Sequence, residues 1–173
     1  MWDSRNNAFS SSKGFYLQYF SNFYGHLLGS EYNFRINSLD LRKYFDLKKD
    51  RVLAFQINLI SAKGDIPVRN LSIMGSDSYM RGYYMGRYQD RVMFAFQGEF
   101  RFPVYKRFGM TFFAGMGKVG PSLSQALNFT SLKPSIGFGL RYAFNVKEKL
   151  NLRVDAGFGK KIHGSYINLG EAF

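Results

Sequence analysis

The sequence predicts an all-β protein, an antiparallel transmembrane β-barrel of about eight strands within 173 residues. Three observations carry that expectation. Apolar and polar residues alternate with a period of two, the alternating segments are long, and the connections between them are short on one side and longer on the other. A globular strand usually runs about 5–6 residues, whereas a tilted strand crossing a bilayer needs about 9–11.

In chain order the strands are expected at Gly14–Gly25, Tyr32–Phe45, Asp50–Ala62, Asp90–Val104, Gly109–Val119, Leu132–Phe144, Lys149–Gly159 and Ser165–Phe173. In the second, Phe34 and Ile36 are out of phase with Leu39 and Leu41, which predicts a bulge near Asn37. The third sets Leu53, Phe55, Ile57 and Leu59 against Ala54, Gln56 and Asn58. The fourth sets Val92, Phe94, Phe96, Phe100 and Phe102 against Met93, Ala95, Gln97, Glu99 and Arg101. The sixth sets Ile136, Phe138, Leu140, Tyr142 and Phe144 against Ser135, Gly137, Gly139, Arg141 and Ala143. In the seventh, Leu150, Leu152, Val154, Ala156 and Phe158 oppose Asn151, Arg153, Asp155 and Gly157. The eighth is expected to place Ile167, Leu169 and the terminal Phe173 on one face.

A soluble sandwich or lipocalin-like barrel also alternates, but its polar face meets water and is rich in Lys, Glu and Thr. Here the polar face holds glycines, amides and few lysines, which fits a lumen, with the aromatic face turned to lipid. If the last strand ends on the periplasmic side, "DLKK", "YKRF" and "NVKE" are short periplasmic turns. "HLLGSE", residues 63–89, "GPSLSQALNFTS" and "KKIHG" are then the extracellular loops.

Composition excludes several classes. Leu, Ile, Val and Phe are too abundant for a disordered chain, and no apolar run reaches the length of a transmembrane helix. The N-terminal "MWDSRNNAFSSSKG" lacks the apolar core of a signal peptide, so a cytoplasmic chain or a mature or excised segment is expected. A net charge of +12 suggests nucleic acid, but the basic residues are scattered and mixed with acids, so no nucleic-acid partner is expected. The α/β-hydrolase pattern G-x-S-x-G is absent, and His26 and His163 both fall in expected extracellular loops. There are no cysteines, and the acids do not group at ligand spacing. Neither catalysis nor a cofactor or metal is expected.

The longest loop holds "IMGSDSYMRGYYMGRYQDR", and within it Met80-Arg81-Gly82-Tyr83 resembles the (V/I)RG(F/Y) loop signature of the BamA/TamA superfamily of outer-membrane assembly and translocation proteins, the bacterial surface antigen family. In the same order, "DSRNNAFSSSKGFYL" is similar to that family's entry to a barrel strand and "GEFRFPVY" to the strand after the signature loop. "PSIGFGLRYAF" and "NLRVDAGFG" resemble its next-to-last strands, and "YINLGEAF" resembles its closing strand.

The resemblance implies a barrel of about sixteen strands, so residues 1–173 form an eight-strand C-terminal unit completed by a second copy or by a missing N-terminal half. It implies an outer-membrane location, lipid and lipopolysaccharide as surroundings, and unfolded outer-membrane proteins as clients. The function implied is insertion and assembly of such proteins or polypeptide translocation; a passive small porin or structural barrel is the alternative. The signature Met80, Arg81, Gly82 and Tyr83 is expected to fold into the lumen. Family members carry a lumenal aspartate partner for the arginine where this chain has Gly115. Glu99, on the polar face of the next strand, is the expected partner, with Asp155 as substitute, for which Arg141 and Arg153 compete. Tyr166, Leu169, Gly170 and Phe173 are expected to form the closing-strand signal for assembly.

Overall fold

Period-two alternation yields long strands that pair with their chain neighbours. The computed structural model describes residues 1–173, the side chain of Leu28 excepted. The strands are β1 (Trp2–Asp3), β2 (Gly14–Tyr24), β3 (Phe34–Asp46), β4 (Val52–Gly64), β5 (Ser72–Met74), β6 (Tyr88–Asp90), β7 (Val92–Tyr105), β8 (Phe108–Gly120), β9 (Lys133–Asn145), β10 (Leu150–Gly159) and β11 (Ile162–Leu169). Helix is confined to α1 (Leu123–Ala126) and two 3-10 turns, so none is long and apolar enough to cross a membrane.

Nine strands make one sheet in the order β1-β2-β3-β4-β7-β8-β9-β10-β11, antiparallel at every junction. The sheet is open: β11 has one neighbour, and β1 covers only Tyr16 and Leu17 on the outer edge of β2. The hairpin β5–β6 belongs to the longest loop and packs on one face of the sheet, called here the inner face.

Register decides which side chains share that inner face. Gln56, Gln97, Glu99, Arg101, Thr111, Ser135, Arg141, Arg153 and Asp155 are all buried there. The outer face carries Phe112, Ile136, Phe138, Leu140, Val154, Phe158, Ile167 and Leu169, each between 43% and 71% exposed. The outer face is thus apolar and exposed along β8 to β11.

Three sequence expectations are corrected. No bulge occurs near Asn37: β3 pairs with β2 and β4 without a register shift. Phe34 simply turns inward, where its ring stacks on Tyr24 at 4.3 Å, so apolar residues lie on both faces of that strand end. The register shifts fall at Leu150/Asn151 and Pro103/Tyr105, the latter where a proline lacks the N–H that continues a ladder.

The other two corrections concern the closing segment. "KKIHG" is not a loop, because Lys160 and Lys161 alone turn the chain and His163 lies in β11 opposite Phe158. The last strand is Ile162–Leu169 rather than Ser165–Phe173. Gly170 adopts φ +86°, a left-handed conformation open to glycine, and breaks the strand there. Ile167 and Leu169 remain on the outer face, while Phe173 turns inward onto Tyr44 and Ala54 and its carbonyl accepts from Arg101 Nη2 at 2.8 Å.

Candidate functional site: the docked loop

The loop between β4 and β7 begins as a hairpin, Ser72 pairing with Asp90 and Met74 with Tyr88. Met74, Met80 and Tyr83 pack against Met93 and Ala95 of β7, so the hairpin lies on the sheet through an apolar cluster. Burial, and secondarily the Asp77 carboxylate, raises the Tyr79 phenol above its ordinary value, keeping it a neutral donor to the Ile73 carbonyl at 3.3 Å.

The tip is fixed by polar contacts to four strands. Gln97 on β7 donates to the Ser78 carbonyl at 2.6 Å. Arg153 on β10 donates to the Asp77 carbonyl at 3.0 Å, and Asn168 on β11 donates to the Asp77 carboxylate at 2.6 Å. The Tyr83 hydroxyl donates to the Pro134 carbonyl of β9 at 2.8 Å and accepts from the Lys160 N–H at 2.9 Å. The Tyr166 hydroxyl accepts from the Gly82 N–H at 2.9 Å.

Arg81 sits at the centre with no exposed surface. Its Nη2 pairs with Glu99 on β7, and its Nη1 with Asp155 on β10 at 2.6 Å. Phe113 of the intervening β8 lies under the guanidinium, 3.5 Å from its carbon to the ring centroid. The Ser135 hydroxyl of β9 donates to the Arg81 carbonyl. The loop arginine therefore spans β7 to β10. The expectation offered Glu99 with Asp155 as substitute, and here both carboxylates are engaged at once.

The two acids are shared with strand arginines. Asp155 also accepts from Arg141 at 2.5 Å and from Arg153 at 3.0 Å; Glu99 also accepts from Arg101 at 2.8 Å. Glu171 continues the chain, 2.8 Å from Arg141 and 3.7 Å from Arg101. Each buried charge thus has an opposite charge beside it, the condition under which burial of ions is tolerated.

Glycines supply the space. A Cβ at Gly137 would lie 2.3 Å from the Phe113 ring, and one at Gly139 would lie 1.9 Å from Asp155 Oδ1. One at Gly159 would lie 2.5 Å from the Tyr83 ring, and one at Gly157 would lie 2.6 Å from both Arg81 C and Gly82 N. Gly82 itself has φ +101° and passes so close to Gly157 and Phe158 that its own Cβ would meet their backbone at 2.7 Å. The sequence places Gly137, Gly139, Gly157 and Ser135 on the polar face and names Arg141 and Arg153 as competitors for Asp155, but it gives the glycines and Ser135 no role and singles out neither Phe113 nor Asp77. Gly115, standing where the family's aspartate is expected, faces Gln97, whose Cβ would be 3.0 Å from an added Cβ. Gly157→Ala is expected to lift the loop from β10 at a cost of about 1–3 kcal/mol, as overpacking does; an unchanged unfolding midpoint in detergent would show that the contact yields freely.

Of the closing-strand residues, Tyr166 touches the loop, Leu169 points outward, Gly170 breaks the strand and Phe173 caps the inner face. They do not share one face.

The structure is thus an all-β, antiparallel meander of eight long strands with an arginine-bearing loop locked to its inner face. The Omp85 superfamily domain model matches residues 1–173, and the chain belongs to that superfamily. Its members are outer-membrane proteins. No curated protein matches the chain in sequence.

Proposed function

We propose that this chain is half of an outer-membrane β-barrel that assists insertion of outer-membrane proteins or passage of a polypeptide, its signature loop acting as an internal plug. The carrying observation is the combination of that locked loop with an open sheet whose outer face is apolar. An open edge in lipid leaves backbone groups unpaired at several kcal/mol each, so the sheet requires a partner.

A second copy fits that need. β2 and β11 are separated by an even number of strands in a wholly antiparallel sheet, so β11 of one copy meets β2 of the next antiparallel, and the same junction recurs on the other side. β1 leaves residues 18–24 of β2 open to pair. Tyr16 is itself paired with Asp3, so cysteine pairs are best scanned across 18–24 and 164–169 in this cysteine-free chain. Disulfide-linked dimers at one register, with the matching mass in detergent, are the expected result. A monodisperse monomer without cross-links would exclude the two-copy barrel.

Insertase action is tested by adding the purified chain to lipid vesicles and following the folding of an unfolded outer-membrane protein. Faster folding is expected, and it should slow when the loop is released. A passive small porin would instead conduct ions and leave client folding unchanged.

The membrane reading has its own test. Val154, 43% exposed at the middle of β10, should face lipid, so Val154→Arg is expected to destabilise the protein by about 2–4 kcal/mol in vesicles. Equal stability of the variant would place that face outside the bilayer core.

A further inference from the structure

At the end of the inner face that carries the short turns, a cavity of about 530 Å³ opens between the N-terminal segment and the β7–β8 and β9–β10 turns. Six cationic residues line it, Lys13, Arg101, Lys106, Arg107, Arg141 and Lys149, against three acids, Asp46, Asp50 and Glu171. Arg101 and Arg141 form its floor, with side chains only 7% and 5% exposed. Their carboxylate partners do not use all their donors: Arg101 Nη1 and Arg141 Nη2 are buried without an acceptor. A buried charged donor left unpaired is costly, so these two guanidinium groups hold hydrogen-bonding capacity that an acceptor drawn to the floor would satisfy.

The rest of the lining narrows the ligand. Phe102, Phe108 and Met110, from the end of the apolar outer face, and Val146 border the same cavity. The site therefore has a cationic inner wall and an apolar side continuous with the lipid-facing surface. We propose that this cavity holds a phosphate group presented by an anionic phospholipid of the leaflet on the turn side. Planar guanidinium donors match phosphate oxygens, Lys106, Arg107 and Lys149 stand at the entrance as headgroup contacts, and the acyl chains run along the apolar outer face. The proposal rests on the membrane reading above, and its test separates the two.

The full chain is reconstituted in phosphatidylcholine vesicles with a minor share of phosphatidylglycerol, floated on a density gradient, then extracted in neutral detergent, and the lipid retained per chain is measured by native mass spectrometry. The comparison variant carries Lys106→Asn, Arg107→Gln and Lys149→Asn. Asparagine is chosen at 106 and 149 because both lysines have positive φ, +49° and +55°, which asparagine tolerates. These side chains lie in turns outside the buried ion network, and circular dichroism checks that the fold is kept. The expected result is retention of phosphatidylglycerol over phosphatidylcholine by the wild type, falling about tenfold or more in the variant, since each basic group near an anionic surface contributes substantially.

Failure to float would sink the membrane reading itself. Flotation with no preference for phosphatidylglycerol, or an equal preference in the variant, overturns the lipid site alone. Inorganic phosphate supplies the remaining arm: if it raises the unfolding temperature and displaces no retained lipid, the cavity is a free-anion site and the lipid proposal is wrong.

Discussion

Asp155→Asn is expected to be the most damaging single substitution in this protein, lowering stability by about 3–5 kcal/mol, the range found when one member of a buried ion cluster is removed. Asp155 is fully covered and accepts from three guanidinium groups, those of Arg81, Arg141 and Arg153, at 2.6, 2.5 and 3.0 Å. Asparagine keeps the shape but removes the charge and turns an amide donor toward cations that are themselves only donors. Arg141 retains Glu171, and Arg153 retains Asp77, so the loss is not total.

The control is Asp77→Asn. Its side chain is 42% exposed and 3.3 Å from Arg153, so water and distance weaken that pair, and a loss under about 1 kcal/mol is expected. Urea unfolding in detergent micelles, followed by heat-dependent gel mobility, measures both. If Asp155→Asn proves as mild as Asp77→Asn, the inner face is hydrated and the ion network does not hold the loop.

The strands were legible in the sequence because a half-buried strand must alternate, and the alternating faces of β4, β7, β9 and β10 follow from that alone. Glu99 and Asp155 were legible by charge logic: a buried guanidinium needs a carboxylate on the polar face of a nearby strand. That both serve at once was not legible, since it depends on Arg81 crossing β8 and β9 to reach β10.

The purpose of the inner-face glycines was not legible for a related reason. A glycine in a strand reads only as a weak strand former, and its purpose appears when another backbone is found lying on it, as Gly82 lies on Gly157. The end of the chain misled in the opposite direction, because alternation extended through Gly170 places Phe173 outside. A left-handed glycine instead ends the pairing and sends Phe173 to Tyr44.

Arg81 is the residue through which the loop is expected to be held. Removing it leaves Glu99 with Arg101 and Asp155 with Arg141 and Arg153, so neither acid is stranded. What is lost is the tie between loop and sheet: two ion pairs, the stacking on Phe113 and the geometry that carries the Ser135 bond. Arg81→Ala should therefore cost about 3 kcal/mol, toward the lower end for breaking a buried pair. Glu99→Gln should cost somewhat less, and the double variant less than the sum, with a coupling energy of about 1–3 kcal/mol. Additivity would mean that the two residues do not interact in solution.

Trypsin gives a reading that a general loss of stability would not. Arg87 is exposed in the same loop and should be cut in the native protein, whereas Arg81 is covered and should not. In the combined Glu99→Gln and Asp155→Asn variant the anchor is gone while Arg81 remains. Cleavage after Arg81 should then appear at temperatures where the sheet is intact by circular dichroism. Cleavage after Arg81 in the wild type at the rate seen at Arg87 would place the signature in solvent and end the internal-plug reading.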